Sequence, residues 1–288
     1  MTSPTPSLPL SSLLILLLFS LFHVSLTAST SPTTYIYGGC SHIKYSQNSA
    51  YSASLNSLLT SLVNSATNSP FSKLTLTSPA TISGVYQCRG DLPESSCSTC
   101  IRNSVSQLGS LCVNSVGGVL QLDGCFLKYD NATFLGVEDK SVVLKRCGGG
   151  GGGGDSGELV SRRDQVLGYL ASLSESYYRV GESGGVKGVG QCVGDLSLGE
   201  CQDCLVYAIQ RFKGDCGPVG SGDLFLGKCY VRVMVDGHGS SWYGSNGSSQ
   251  DDEIERTLAI LVGLIAGIAL LIVFFAFLRR LCDGKDGK

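Results

Sequence analysis

The sequence predicts an α+β protein: two small tandem domains, each an antiparallel sheet packed by two helices and stapled by disulfides, followed by a single transmembrane helix. Three observations carry that expectation: a duplicated cysteine pattern, apolar runs near both ends, and matching helix-then-strand patterns in the two halves. Twelve of the 13 cysteines form two sets of six. The first set is Cys40, Cys88, Cys97, Cys100, Cys112 and Cys125; the second is Cys147, Cys192, Cys201, Cys204, Cys216 and Cys229. From the second cysteine onward both read C-x8-C-x2-C-x11-C-x12-C, and only the first gap differs, 47 residues against 44. Disulfide geometry tolerates little error in Cα separation, so spacing kept this strictly marks one framework used twice. Six cysteines per domain still allow fifteen pairings.

The ends of the chain set the compartment. Leu10 to Leu26 is strongly apolar and is followed by small residues from Thr27 to Ser31, the pattern of a secretory signal peptide over residues 1–29. No Lys or Arg precedes Lys44, so the usual basic n-region is missing. Thr257 to Leu278 carries no charge, with Asp251, Asp252, Glu253 and Glu255 before it and Arg279-Arg280 after it. At 1.5 Å per residue this run reaches roughly 33 Å, enough to cross a bilayer core. The basic side belongs in the cytoplasm, which leaves the N-terminal portion outside and residues 279–288 as a short cytoplasmic tail. In an oxidising compartment the cysteines form a covalent scaffold, not a zinc or redox site. No histidine lies near Cys97, Cys100, Cys112 or Cys125, and no metal or other cofactor is expected. Cys282, just inside the membrane, reads either as an inert thiol or as a palmitoylation site. A net charge of −2 argues against nucleic acid as a partner.

The two repeats read in parallel, as domains over residues 30–135 and 136–236. Tyr51, Leu55, Leu58, Leu59, Leu62 and Val63 recur at helical spacing, predicting a helix from Asn48 to about Ala66; Val166, Leu170, Leu173 and Tyr177 follow the same period. A strand-like segment then ends in a shared phrase, Gly84 to Leu92 and Gly188 to Leu196, whose Gly-Asp pair supplies a turn. A short second helix begins at Cys97 or Cys201, and its two cysteines, three residues apart, face one side and can staple it twice. Val119 to Tyr129 and Asp223 to Val233 read as hairpins. Gly148 to Gly154, seven glycines straight after Cys147, read as a flexible loop inside the second framework, so the domains are joined by Phe134 to Arg146. Residues 237–256 form a Gly/Ser-rich juxtamembrane linker. Asn131 and Asn246 head two N-glycosylation sequons. Gly263 and Gly267 form a G-x-x-x-G within the membrane run, a helix-association motif set against the alternative of lipid-facing glycines.

With this cysteine spacing, Gln87 and Gln191 before the second cysteine of each repeat, and an export signal, the chain resembles the plant ginkbilobin-homologous (cysteine-rich, salt-stress/antifungal) domain family over roughly Tyr35 to Val235. The resemblance implies first-to-fifth, second-to-third and fourth-to-sixth pairing: Cys40–Cys112, Cys88–Cys97, Cys100–Cys125, Cys147–Cys216, Cys192–Cys201 and Cys204–Cys229. Two such domains, one span and a ten-residue tail resemble the plasmodesmata-located proteins. A family founder binds mannose through Asn, Arg and Glu. Those positions here hold Ser41, Val119 and Asp130, then Gly148, Asp223 and Met234, and only Asp130 keeps the chemistry. An arginine fork cannot be replaced by Val or Asp, so mannose binding is not carried over.

The function expected from this resemblance is a non-enzymatic type I membrane protein at plasmodesmata. It would modulate cell-to-cell trafficking, with links to callose, defence and viral movement proteins. The implied partners are related family members, as homo- or hetero-oligomers, receptor-like kinases and viral movement proteins. A cell-surface lectin for wall carbohydrate is the alternative. An enzyme is the weakest class: His23 lies in the signal, His42 in a surface loop and His238 in the linker, while Asp91 and Asp195 read as turn residues beside Asp123.

Overall fold

The structure, a computed structural model, describes residues 31–148, 156–217 and 221–235, together with Gly267. The signal segment 1–29, most of the membrane run, Asn246, Gly263 and Cys282 lie outside the described residues. Among the described residues no helix is long and apolar enough to cross a membrane. Domain one runs β1 (Tyr35–Cys40), α1 (Ala50–Ser65), β2 (Phe71–Leu76), β3 (Ile82–Cys88), α2 (Glu94–Leu111), β4 (Gly118–Leu122) and β5 (Cys125–Asp130). Domain two repeats the order as β6 (Val142–Cys147), α3 (Ser156–Leu170), β7 (Tyr178–Ser183), β8 (Val186–Cys192), α4 (Leu198–Cys216), β9 (Gly222–Leu226) and β10 (Cys229–Val235). Each domain holds a five-stranded sheet, ordered β1-β4-β5-β3-β2 and β6-β9-β10-β8-β7, with antiparallel neighbours throughout. The fold is α+β, one topology used twice.

Both helices of a domain cover the same face of its sheet. Leu55, Leu58 and Leu62 of α1 bury one stripe, and Ser49 caps its start by accepting the Ser52 amide. The helix sits so close to β3 that a Cβ at Gly84 would lie 2.9 Å from Leu58 and Leu62. Gly188 plays the same part under α3, where a Cβ would run into Val166. The glycine that opens each shared phrase therefore admits the helix.

The second helix is held covalently. Cys97 bonds Cys88 and Cys100 bonds Cys125, while Cys88 and Cys125 face each other across β3 and β5. One turn of α2 is thus tied to one rung of the sheet at two points. In domain two Cys201 bonds Cys192 and Cys204 bonds Cys229, again a facing pair. The third bridge, Cys40–Cys112 or Cys147–Cys216, ties an edge strand to the end of that helix.

Several local expectations are corrected. The second helix is long: it starts at Glu94 or Leu198 and runs 18 or 19 residues. Ser197 and Glu200 form a capping box that sets the α4 start three residues before Cys201. Helix α3 stops at Leu170 and does not reach Tyr177, because the Arg179 guanidinium takes the carbonyls of Leu170 at 2.8 Å and Ser172 at 2.7 Å. Tyr177 instead donates its hydroxyl to the Leu196 carbonyl. Edge strands β1, β2, β6 and β7 go beyond the three strands per domain that the pattern marks, and β6 occupies the last part of the expected connector. The unequal first gap resolves to one turn: residues 77–81 join β2 to β3, whereas Gly184 and Gly185, both at positive φ, join β7 to β8.

The bridge closing 72 residues between Cys40 and Cys112 constrains the unfolded chain most in domain one. Replacing both with serine should lower stability by about 4 kcal/mol on the chain-entropy relation, read from the urea midpoint. A loss under about 1 kcal/mol would contradict that role.

Candidate functional site

The candidate site is built on the sheet faces turned away from the helices. On β2, β3, β5, β4 and β1 the register aligns Phe71, Gln87, Phe126, Gln121 and Tyr37 in one cross-strand row. The matching row of domain two is Tyr178, Gln191, Tyr230, Phe225 and Leu144. These rows meet in a seam between the domains. Gln191 donates to the Cys88 carbonyl at 2.9 Å, and Gln87 accepts the Gly194 amide at 3.0 Å. Tyr37 meets Phe225 edge-on at 5.8 Å between ring centroids. Val85, Phe126, Phe134 and Val193 form a small buried cluster beside them.

Glycine at the Gly-Asp pairs has a second use here. A Cβ at Gly90 would lie 2.5 Å from the Tyr178 ring, and one at Gly194 would lie 3.2 Å from the Phe71 ring. Each domain thus lays the first aromatic of an edge strand on the other domain's glycine. The arrangement is reciprocal, like a two-fold interface made within one chain.

Charge is threaded through the same seam. The Asp123 carboxylate, 2% exposed, accepts Arg89 at 2.5 Å from its own domain and Arg232 at 2.6 Å from the other. Arg232 continues to Asp223 at 3.0 Å, and Arg89 to Asp91 at 2.7 Å. Burial pulls the Arg232 guanidinium down, but Asp223 and Asp123 outweigh it and hold its pKa above the ordinary value. Arg89 follows the same pattern, burial opposed by Asp91 and Asp123. Burial raises the Tyr178 phenol to about 12, with Asp91 adding to it. Asp195 is not merely a turn residue, since it is buried and paired with the Lys228 ammonium, and its Oδ2 also accepts the Gly136 amide at 3.0 Å. Burial lowers the Lys228 pKa, and Asp195 offsets part of that. The seam leaves a cavity of about 20 Å³ beside Gln121 and Lys228. That is room for about one water molecule, not for a sugar.

Sequence reasoning placed none of these seam residues. The signal available was the repetition of Gln-Cys and Gly-Asp in both phrases, whose partner lies in the other repeat. The carbohydrate positions resolve differently. Ser41 donates its amide to Gly117 at 2.8 Å, and a Cβ on Gly117 would lie 2.5 Å from Asp130, so Ser41 and Asp130 flank one glycine. Val119 packs against the seam cluster and offers no donor. In domain two Asp223 is engaged by Arg232, and Met234 is partly exposed. His42 is exposed in the loop after β1. Asn131, Ala132 and Thr133 are all exposed directly after β5, with Asp130 accepting the Ala132 amide at 2.9 Å.

A family model described as salt stress response/antifungal matches residues 39–132 and 155–235. The chain is similar to Plasmodesmata-located protein 6 of Arabidopsis thaliana, 51% identical over 271 residues that cover 91% of this chain and 93% of that protein. It is also 51% identical over 263 residues to Plasmodesmata-located protein 7 of the same plant, covering 90% of this chain and 87% of the relative. Among solved structures, the tandem DUF26 ectodomain of the Arabidopsis cysteine-rich receptor-like protein PDLP5 superposes with a TM-score of 0.67 at 43% identity. It covers 70% of this chain and 99% of that ectodomain.

Asp123→Ala removes the carboxylate shared by two guanidinium groups, leaving Arg89 to Asp91 and Arg232 to Asp223, and should cost about 2–3 kcal/mol. Calorimetric unfolding should split into two steps as the domains part. Glu158→Ala, which breaks an exposed pair with Arg162 on α3, should cost under about 1 kcal/mol. A single unshifted transition for Asp123→Ala would contradict the coupling.

Proposed function

From the membership of this chain in the plasmodesmata-located protein family, we propose that it is a single-pass membrane protein that modulates cell-to-cell trafficking through plasmodesmata. The carrying observation is the reach of the likeness. It extends over 91% of the chain, whereas the solved ectodomain of a relative accounts for 70%, so sequence beyond the ectodomain is shared as well. The twin domains act as one rigid recognition body in the wall space, because the seam joins their sheets through paired charge and aromatic contacts. This reading is a non-enzymatic one, in which the ionisable groups of the seam hold one another. Docking of viral movement proteins, callose linkage and a defence role accompany this reading. The charge-free run 257–278 anchors the protein, with residues 279–288 cytoplasmic and Cys282 available for palmitoylation. Gly263 and Gly267 let the anchors of related copies approach closely. Receptor-like kinases are further partners of this reading.

Two outcomes test it. Exchanging Thr257–Lys288 for an unrelated membrane anchor should abolish punctate wall fluorescence of a tagged protein in leaf epidermis, and retained puncta would sink the reading. With the ectodomain outside, Asn131→Gln and Asn246→Gln should each remove one glycosidase-sensitive mobility step; an unshifted wild-type band would argue against that orientation.

A further inference from the structure

Domain two carries an exposed apolar feature that its duplicate lacks. Leu173, in the loop after α3, is 90% exposed, and Leu198, at the first turn of α4, is 41% exposed. They border one open depression of about 560 Å³ together with Ser174, Glu175, Gln202 and Asp203. The framework supplies an internal comparison. The positions matching Leu198 and Asp203, three before and two after the first helix cysteine, are Glu94 and Thr99 in domain one. Counted back from the first aromatic of β2 or β7, Leu173 and Glu175 match Ala66, which is fully buried, and Asn68. Domain one therefore has neither leucine, and its one carboxylate at these positions, Glu94, stands where Leu198 does.

Glu158, Asp164, Asp195, Asp215 and Asp223 of this domain each have a cation within 4 Å. Among the described residues Glu175 and Asp203, like Asp139, Glu182 and Glu200, have none. Two unneutralised carboxylates beside two exposed leucines make the depression complementary to apolar side chains flanked by positive charge. The first turn of a helix would ordinarily favour an anion, but here the Ser197–Glu200 capping box already answers the α4 amides.

The floor is fixed in advance. Gln202 donates to the Ala171 carbonyl at 2.5 Å and accepts Arg179 at 2.8 Å. Arg179, buried beneath, also holds the carbonyls of Leu170 and Ser172, so the leucine-bearing loop is tied down before any partner arrives. The buried guanidinium donates through Nε and Nη1 to the carbonyls of Leu170, Ser172 and Ser176 and to Gln202, while its Nη2 has no partner among the described residues.

We propose that this depression is a docking site for a short segment of a partner protein that presents leucine-like side chains beside lysine or arginine. The proposal goes beyond the plasmodesmal reading and does not rest on it. The test uses the full chain in nanodiscs of zwitterionic lipid and two fluorescent eight-residue probe peptides, one of alternating Leu and Lys, one of alternating Leu and Glu. Polarisation should show the Leu–Lys peptide binding at least tenfold more tightly than the Leu–Glu peptide, and more weakly as salt rises. Leu173→Ser with Leu198→Ser, and separately Glu175→Gln with Asp203→Asn, should each weaken it at least fivefold while leaving the melting temperature unchanged. All four side chains lie at the surface, so the fold does not depend on them. Equal binding of both peptides, no binding of the Leu–Lys peptide, or variants that bind like the wild type would overturn the proposal. So would peptide-free self-association that Leu173→Ser abolishes, since that would assign the leucines to a second copy.

Discussion

The structure depends on a double staple: two disulfides from one helical turn to one rung of a sheet. Cys97 and Cys100 reach Cys88 and Cys125, which already face each other across neighbouring strands. A single bridge would let the helix pivot, whereas two bridges at one rung fix its position and its rotation. That constraint explains why the spacing from the second cysteine onward is identical in both repeats, while the first gap can change. The first gap contains the turn between β2 and β3, or β7 and β8, which lies outside the staple. Small domains of about 100 residues have limited cores, and covalent closure supplements what burial alone provides.

With the helical face fixed, the opposite sheet faces are left to pack, and in this chain they pack on each other. The glycines of the shared phrase serve two neighbours: Gly84 and Gly188 admit a helix on one face, while Gly90 and Gly194 receive an aromatic ring from the other domain. The buried Asp123 then binds a guanidinium from each side. Burying an ion pair is weak evidence for net stability, but one carboxylate shared by two arginines fixes the register between the domains. Of the positions compared with the glycan site, Val119 and Asp223 fall in this seam, where Val119 packs on the apolar cluster and Asp223 is held by Arg232.

The cysteine framework, the α1 stripe and both hairpins were legible because each follows a local period or spacing. The long second helix was only half legible, since cysteines take positions in its buried stripe that leucines would otherwise mark. The helical period overshoots the end of α3 because Leu173 keeps that period while lying in solvent. Arg179, which ends that helix, carries no local signal of doing so. The edge strands were missed because β1 (YIYGGC) is short and glycine-rich. The seam was not legible at all: Arg232 and Asp123 are 109 residues apart, and a Gly-Asp pair looks like a turn whatever packs on it.

The central claim is that two repeats form one cooperative body, and native-state hydrogen exchange tests it most directly. The Gly194 amide donates across the seam to the Gln87 side-chain oxygen. It should open with the same free energy as the core amides of β3 and β8, because parting the domains requires unfolding them. Exchange of this amide much faster than both cores would show domains that separate while folded, and would contradict the account.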